Sequence, residues 1–219
     1  LYQVSRFVMM RLEGAPPTLD SVEGVDLVIF DQWILSRLER TKEQVNRAYS
    51  EYRLNHGAKV LYNFVWDDYC SWYIELIKPD QPNTPIREGS LKVATYVLGQ
   101  ILKLMHPYVP FVTEEIYRQL VGVGNNGKPT LTFGPWPDVD PARKDDQLEE
   151  SLKQIQEVVT AVRSIRSELN VPPGKKSDLY IRVDDAQFGE LLKDHYEYFR
   201  SLARVENLFC GVDVKKPPT

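Results

Sequence analysis

The stretch Asn63-Phe-Val-Trp-Asp-Asp-Tyr-Cys-Ser-Trp-Tyr-Ile-Glu-Leu-Ile-Lys-Pro79 decides how this chain is read. Leu61, Phe64, Val65, Trp72 and Leu76 fall at the three, four and seven spacings that line one face of a helix. Tyr62, Trp66, Tyr69 and Tyr73 follow at spacings of four, three and four and make a second face. A helix that is apolar on two faces is surrounded by other helices. The stretch is therefore expected to be the central rod of a bundle, closed by Lys78-Pro79.

Working outward, a long helix is expected from Leu27 or Phe30 to Leu54, with Trp33, Ile34, Leu38, Val45, Ala48 and Tyr52 inward. Asn55 then stands as N-cap of the aromatic helix, its side-chain oxygen accepting from an early N–H. Leu1 to Leu12 has the pattern of a helix end, stopped by Glu13-Gly-Ala-Pro-Pro17 and followed by a polar loop from Thr18 to Leu27. Beyond the rod, the prolines between Lys78 and Pro85 make a loop. Glu88 to Met105 is a helix with Leu91, Ala94, Leu98, Ile101, Leu102 and Met105 as its stripe, and Phe111 to Val121 is a shorter one after the His106–Pro110 break.

After a flexible Gly122–Lys128 segment and a short strand at Thr130–Phe133, the pattern changes. A helix from Gln147 to Asn170 stops at Pro172-Pro-Gly174, Leu179–Val183 alternates like a strand, Ala186–Ala203 is helical and Asn207–Val214 is a second strand. The fold class is thus mainly α: an antiparallel helical bundle over residues 1–137, then a small α-β-α-β subdomain over residues 138–219. The boundary falls between Pro135 and Asp146.

Composition narrows the function classes. With 219 residues, 42% apolar and 26% charged, the chain can bury a substantial core. A formal net charge of -4 argues against a generic, sequence-blind nucleic-acid binder while leaving room for a local basic surface. The two cysteines, Cys70 and Cys210, lie far apart, which fits a reducing, cytoplasmic setting and offers no metal framework. No apolar run approaches the roughly 20 residues of a membrane span. The chain opens at Leu1 within a helical pattern and is expected to be a piece of a longer protein. Gly122-Val-Gly124-Asn-Asn-Gly127 matches a dinucleotide-binding spacing, but it follows a helix and leads to Lys128-Pro129, so context rejects it.

The motif Trp66, Tyr69, Cys70, Trp72, Tyr73, Glu75, Leu76, Lys78, Pro79 closely resembles the anticodon-binding helical domain of the valyl-tRNA synthetases, which are class I enzymes. Ser5-Arg-Phe-Val8, His106-Pro-Tyr-Val-Pro-Phe-Val-Thr-Glu-Glu-Ile-Tyr117 and Ile165-Arg-Ser-Glu-Leu-Asn-Val-Pro-Pro-Gly-Lys175 fit the same family in the same order. The His-Pro-x-x-Pro-Phe segment is shared with the leucyl and isoleucyl enzymes; the Cys-x-Trp-Tyr-x-Glu and Asn-Val-Pro-Pro-Gly-Lys segments point to the valyl branch. The resemblance implies a parent that joins valine to its tRNA using ATP and magnesium. The His-Ile-Gly-His-like tetrad and the Lys-Met-Ser-Lys-Ser-like loop of such enzymes are absent from these residues. The chain itself is therefore expected to hold no catalytic residue, metal or cofactor. It is expected to be a monomer that partners valine tRNA, at its anticodon loop and stem, and the parent's catalytic domain.

Arg6 and Phe7 are the preferred functional pair, because an unstacked base can be gripped by an aromatic ring and an arginine. The resemblance places their helix against the anticodon; the pattern of residues alone favours Phe7 as a core residue beside Leu1 and Val4. Arg37, Arg40 and Arg47 lie within about 80° of one another on a helix turning about 100° per residue and share one side. Arg163 and Arg166 are one turn apart, with Lys175 and Lys176 just beyond the prolines. All of these are candidates for backbone phosphates. The alternative for each is a solvated face paired with carboxylates, and for the Arg163–Lys176 group a structural joint. Asp67, Asp68 and Glu75 have no histidine at ligand spacing, and Cys70 is expected to be inert packing. Two rival readings remain beside the family one: the corresponding domain of an isoleucyl or leucyl enzyme, and a protein-docking bundle that touches no RNA. A free-standing hydrolase would need a converging set of titratable groups that the chain does not display.

Overall fold

The computed structural model describes residues 1–12, 19, 21–79, 84–121 and 130–215. The expected helix stop at Glu13–Pro17, part of the two following loops and the Gly122–Lys128 segment lie outside the described residues. The chain divides into two compact units, Leu1–Asp145 and Asp146–Thr219. The first begins with α1 (Tyr2–Arg11), α2 (Ile29–Ser50) and α3 (Leu54–Asn63). α3 passes without a break into a π-helical segment, Phe64–Tyr73, and then α4 (Ile74–Ile77). α5 (Glu88–Met105) and α6 (Pro110–Leu120) complete the bundle. The division falls after Asp145 because the preceding segment is tied to α2. Asp140 N–H donates to Glu39 Oε2 (2.8 Å), Asp145 N–H to Ser36 Oγ (2.9 Å) and Lys144 Nζ to Glu43 (3.0 Å).

The centre of the bundle is α5. Every residue from Val93 to Leu102 is buried, and α5 packs on α1, α2, α3, α4 and α6. The aromatic rod is instead one wall. Tyr69 and Tyr73 are fully buried, whereas Tyr62 and Trp66 are 63% and 57% exposed and stack on each other with ring centroids 6.4 Å apart. The expected second apolar face is therefore split. The reason is the change of period: i→i+5 hydrogen bonding widens the turn, so the buried stripe runs Phe64, Tyr69, Tyr73 at spacings of five and four.

Buried polar groups join the helices. Asp31, with no solvent exposure, accepts from Tyr73 Oη (2.7 Å), Ser90 Oγ (3.1 Å) and Val28 N–H (3.1 Å), with Arg87 Nη1 at 3.5 Å. Burial pushes its carboxyl above the usual range while these partners pull it down. Glu39 and Lys42 form a second buried pair, 2.8 Å apart.

Several local expectations are corrected. α2 ends at Ser50 because Tyr52 takes the left-handed conformation (φ 56°), with Tyr52 N–H bonded to Tyr49 O and Arg53 N–H to Ala48 O. Tyr52 is accordingly 91% exposed, not inward, and Asn55 lies inside α3 and caps nothing. Thr130–Phe133 is not a strand: Leu131 is buried, its N–H donates to Glu114 Oε2 (3.0 Å), and Leu131–Phe133 closes as a 3₁₀ turn. His106 bridges α6 and this turn, its ring nitrogens 2.8 and 3.1 Å from Thr113 Oγ1 and Thr132 Oγ1.

The second unit holds α7 (Asp146–Glu168), β1 (Ser177–Arg182), α8 (Ala186–Asp194), α9 (Tyr196–Ala203) and β2 (Val205–Gly211). β1 and β2 pair in parallel with Tyr180 opposite Phe209, and the connection between them is the α8–α9 pair, as a parallel crossover requires. The single expected helix Ala186–Ala203 is broken at His195, whose Nδ1 lies 2.8 Å from Leu191 O. α7 closes with Asn170 in the left-handed conformation (φ 51°), its N–H bonded to Ser167 O and that of Val171 to Arg166 O. Among the described residues no helix is long and apolar enough to cross a membrane.

Candidate nucleic-acid interface

α1 buries Val4, Ser5 and Val8 and turns Tyr2, Arg6 and Met10 outward. Phe7 lies between these faces and is half-buried, so it is an edge residue, not the core residue that the pattern alone would make it. Two cations bracket its ring. The Arg11 guanidinium, one turn later on α1, is 5.6 Å from the ring centroid, and Lys78 Nζ is 5.3 Å away. Lys78 arrives there because Pro79 forces it out of the helix to ψ 130° at the end of α4. Lys78 also pairs with Glu75. The Arg6 side chain is exposed and makes no ion pair among the described residues. The result is a partly open ring with cationic groups around it, which suits a stacked base and its phosphate. Arg11 and Lys78 were missed in the sequence; the i, i+4 spacing of Phe7 and Arg11 could have marked the first, but nothing local marks the second.

The α2 arginines differ in what they touch. Arg37 gives Nε and Nη2 to Asp68 Oδ2 (3.0 and 2.9 Å), tying α2 to the rod. Arg40 is half-buried. Arg47 is exposed and pairs with Glu51 at 3.1 Å. They share a helix side, but only Arg47 projects into solvent.

In the second unit Arg163 Nε donates to Leu202 O (2.9 Å). Arg166 donates to Ser177 Oγ (2.7 Å), Lys175 O (2.5 Å) and Pro172 O (3.4 Å), holding the turn that enters β1. Lys175 and Lys176 are exposed on that turn.

Both cysteines are free, and burial raises both thiols. Among the described residues no three His, Cys, Asp or Glu side chains gather as a metal-binding set. Asp68 and Glu75 are taken up by Arg37 and Lys78.

Residues 31–181 match the family model described as the anticodon-binding domain of tRNA ligase. The chain is 33% identical over 223 residues to the valine–tRNA ligase of Geobacillus kaustophilus, covering 99% of this chain and 24% of that protein. It is 35% identical over 219 residues to that of Syntrophotalea carbinolica, with the same coverage of 99% and 24%. To that of Carboxydothermus hydrogenoformans it is 36% identical over 210 residues, covering 94% and 23%. The chain thus spans about a quarter of the length of these relatives. With a bundle of this kind and a match across most of its length, the chain belongs to the family of anticodon-binding domains of tRNA ligases.

Proposed function

We propose that this chain is the anticodon-binding part of a valine–tRNA ligase and that it grips the anticodon loop of valine tRNA at the α1 corner. The observation that carries this reading is the Phe7 ring, half-buried and bracketed by Arg11 and Lys78, with Arg6 exposed beside it. A splayed anticodon base stacks on Phe7, and Arg6 bonds a base edge or the adjoining phosphate. A wrong base leaves a polar edge without a partner, and that loss is the source of discrimination. Arg47, Lys175 and Lys176, exposed on their elements, neutralise backbone phosphates and set register without reading sequence. The amino acid comes from the names of the relatives.

In this reading the whole protein works in the cytoplasm as a monomer and joins valine to its tRNA with ATP and magnesium. That chemistry belongs to its catalytic domain, and no residue described here is assigned to it.

The test is a low-salt titration of the chain with valine tRNA, beside the same tRNA with its middle anticodon base changed. Arg6→Ala and Phe7→Leu variants run in parallel. The base change is expected to weaken binding about tenfold, roughly 1.4 kcal/mol. Phe7→Leu, which keeps apolar contact but removes the stacking face, is expected to cost about 1–2 kcal/mol. Both variants should lose more with the cognate tRNA than with the altered one. Equal binding in every arm would sink the anticodon reading, and no RNA binding at all would favour a protein-docking bundle.

A further inference from the structure

A second basic site lies within the second unit. The end of α7, the Asn170–Pro173 turn and the end of α9 enclose a groove of about 480 Å³. Arg163, Arg166 and Arg204 line it together with Asn170, Pro172 and Leu202, and no acidic residue does so among the described residues. Two of the arginines are anchored: Arg163 through Leu202 O, and Arg166 through Ser177 Oγ and the carbonyls of Pro172 and Lys175. Arg204 is different. It closes α9 in the left-handed conformation, φ 54° and ψ 42°, at a position where glycine is the usual occupant. Its backbone oxygen accepts from Ser177 N–H (3.2 Å), so the main chain does the structural task. Its side chain is exposed and makes no hydrogen bond or ion pair among the described residues. A guanidinium held on a strained backbone, without a task in the fold, facing a groove free of carboxylates, points to an anionic ligand.

We infer that this groove holds a phosphate of the RNA backbone, with Arg204 as the residue that engages it and Arg163 and Arg166 as the fixed positive field behind it. The inference rests on the reading that the chain binds tRNA. It differs from that reading in being blind to the anticodon. A phosphodiester suits the site because it is a diffuse anion that planar guanidinium groups can approach in parallel. A phosphate contact also positions without specifying.

The decisive variant is Arg204→Gly, which relaxes the left-handed backbone while deleting the guanidinium. Its melting temperature is expected to equal or exceed that of the unaltered chain, and its affinity for valine tRNA to fall about three- to tenfold at low salt. The slope of log K against log salt should become shallower by about 0.7–0.9, the value of one lost phosphate contact. The loss should be equal for the cognate tRNA and for the one with the changed anticodon, and Arg204→Lys should restore the slope. Unchanged affinity and slope, a loss confined to the cognate tRNA, or a lowered melting temperature would each overturn the inference. If the unaltered chain fails to discriminate anticodons but Arg204→Gly still flattens the salt slope, the groove stands and the anticodon reading falls. No binding of any tRNA removes both.

Discussion

The α1 corner and the turn after α7 are built from the same kinds of residue and use them in opposite ways. Around Phe7, Arg11 and Lys78 are placed over a ring, and Lys78 also pairs with Glu75. After α7, Pro172 and Pro173 supply carbonyls but no N–H, and the turn is short of donors. Arg166 makes up the shortage with three hydrogen bonds, at Ser177, Lys175 and Pro172. Arg166 is therefore drawn onto the proline-rich turn by its carbonyl acceptors, while Arg11 and Lys78 are placed over a ring.

The largest effect that would break this contrast is at Arg166. Arg166→Ala is expected to destabilise the second unit by about 2–3 kcal/mol, the range for hydrogen bonds given by a charged group. Amide exchange across β1 and β2 would read it. Arg166→Lys should recover little, because an ammonium cannot span three acceptors with the geometry of the fork. Unchanged exchange in Arg166→Ala would mean that its three hydrogen bonds do not hold the turn.

Arg37 tests the contrast from the other side, since it lies on a helix yet is engaged. A double-mutant cycle of Arg37→Ala and Asp68→Ala is expected to give about 0.5–1 kcal/mol of coupling, as befits a pair still a third exposed on the arginine side. Coupling near zero together with lost RNA affinity would move Arg37 to the phosphate-binding group.

The smallest effect is in the pH dependence of the bundle. Asp31 carries a carboxyl raised by burial, so the folded state holds its proton more readily than the unfolded chain. Its contribution to stability is full below the ordinary carboxylate range and is lost as pH rises through the raised value. Asp31→Asn should remove that downward segment, which lies between the ordinary carboxylate range and the raised value, from the curve of stability against pH. A wild-type curve that instead rises through this window by an amount the substitution abolishes would mean the hydrogen bonds from Tyr73, Ser90 and Val28 outweigh burial.

Much of the fold was legible. Glu88–Met105 was read to the residue because its apolar pattern runs between clear breaks, and the Pro172-Pro-Gly174 stop located the end of α7 to within two residues. The failures have physical causes. The 3.6-residue period was applied to a segment that turns with i→i+5 bonding, so Tyr62 and Trp66 were placed inside and are outside. Tyr52 terminates α2 from the left-handed conformation, for which a tyrosine carries no signal in the chain. At the candidate site, Arg6 and Phe7 stood out through their motif, but Lys78 meets Phe7 across a gap of some seventy residues and only packing could bring them together.

By itself the sequence determined the order of elements, the helical class and the family, because periodicity, breakers and motifs are properties of neighbours along the chain. Tertiary structure alone decided which helix is central, which arginines are engaged by the fold and which stay exposed. Those outcomes depend on where unsatisfied carbonyls, carboxylates and rings from distant segments come to lie. Asp31, Tyr73 and Ser90 meet across 42 and 59 positions, and no local pattern encodes which of them is buried with which.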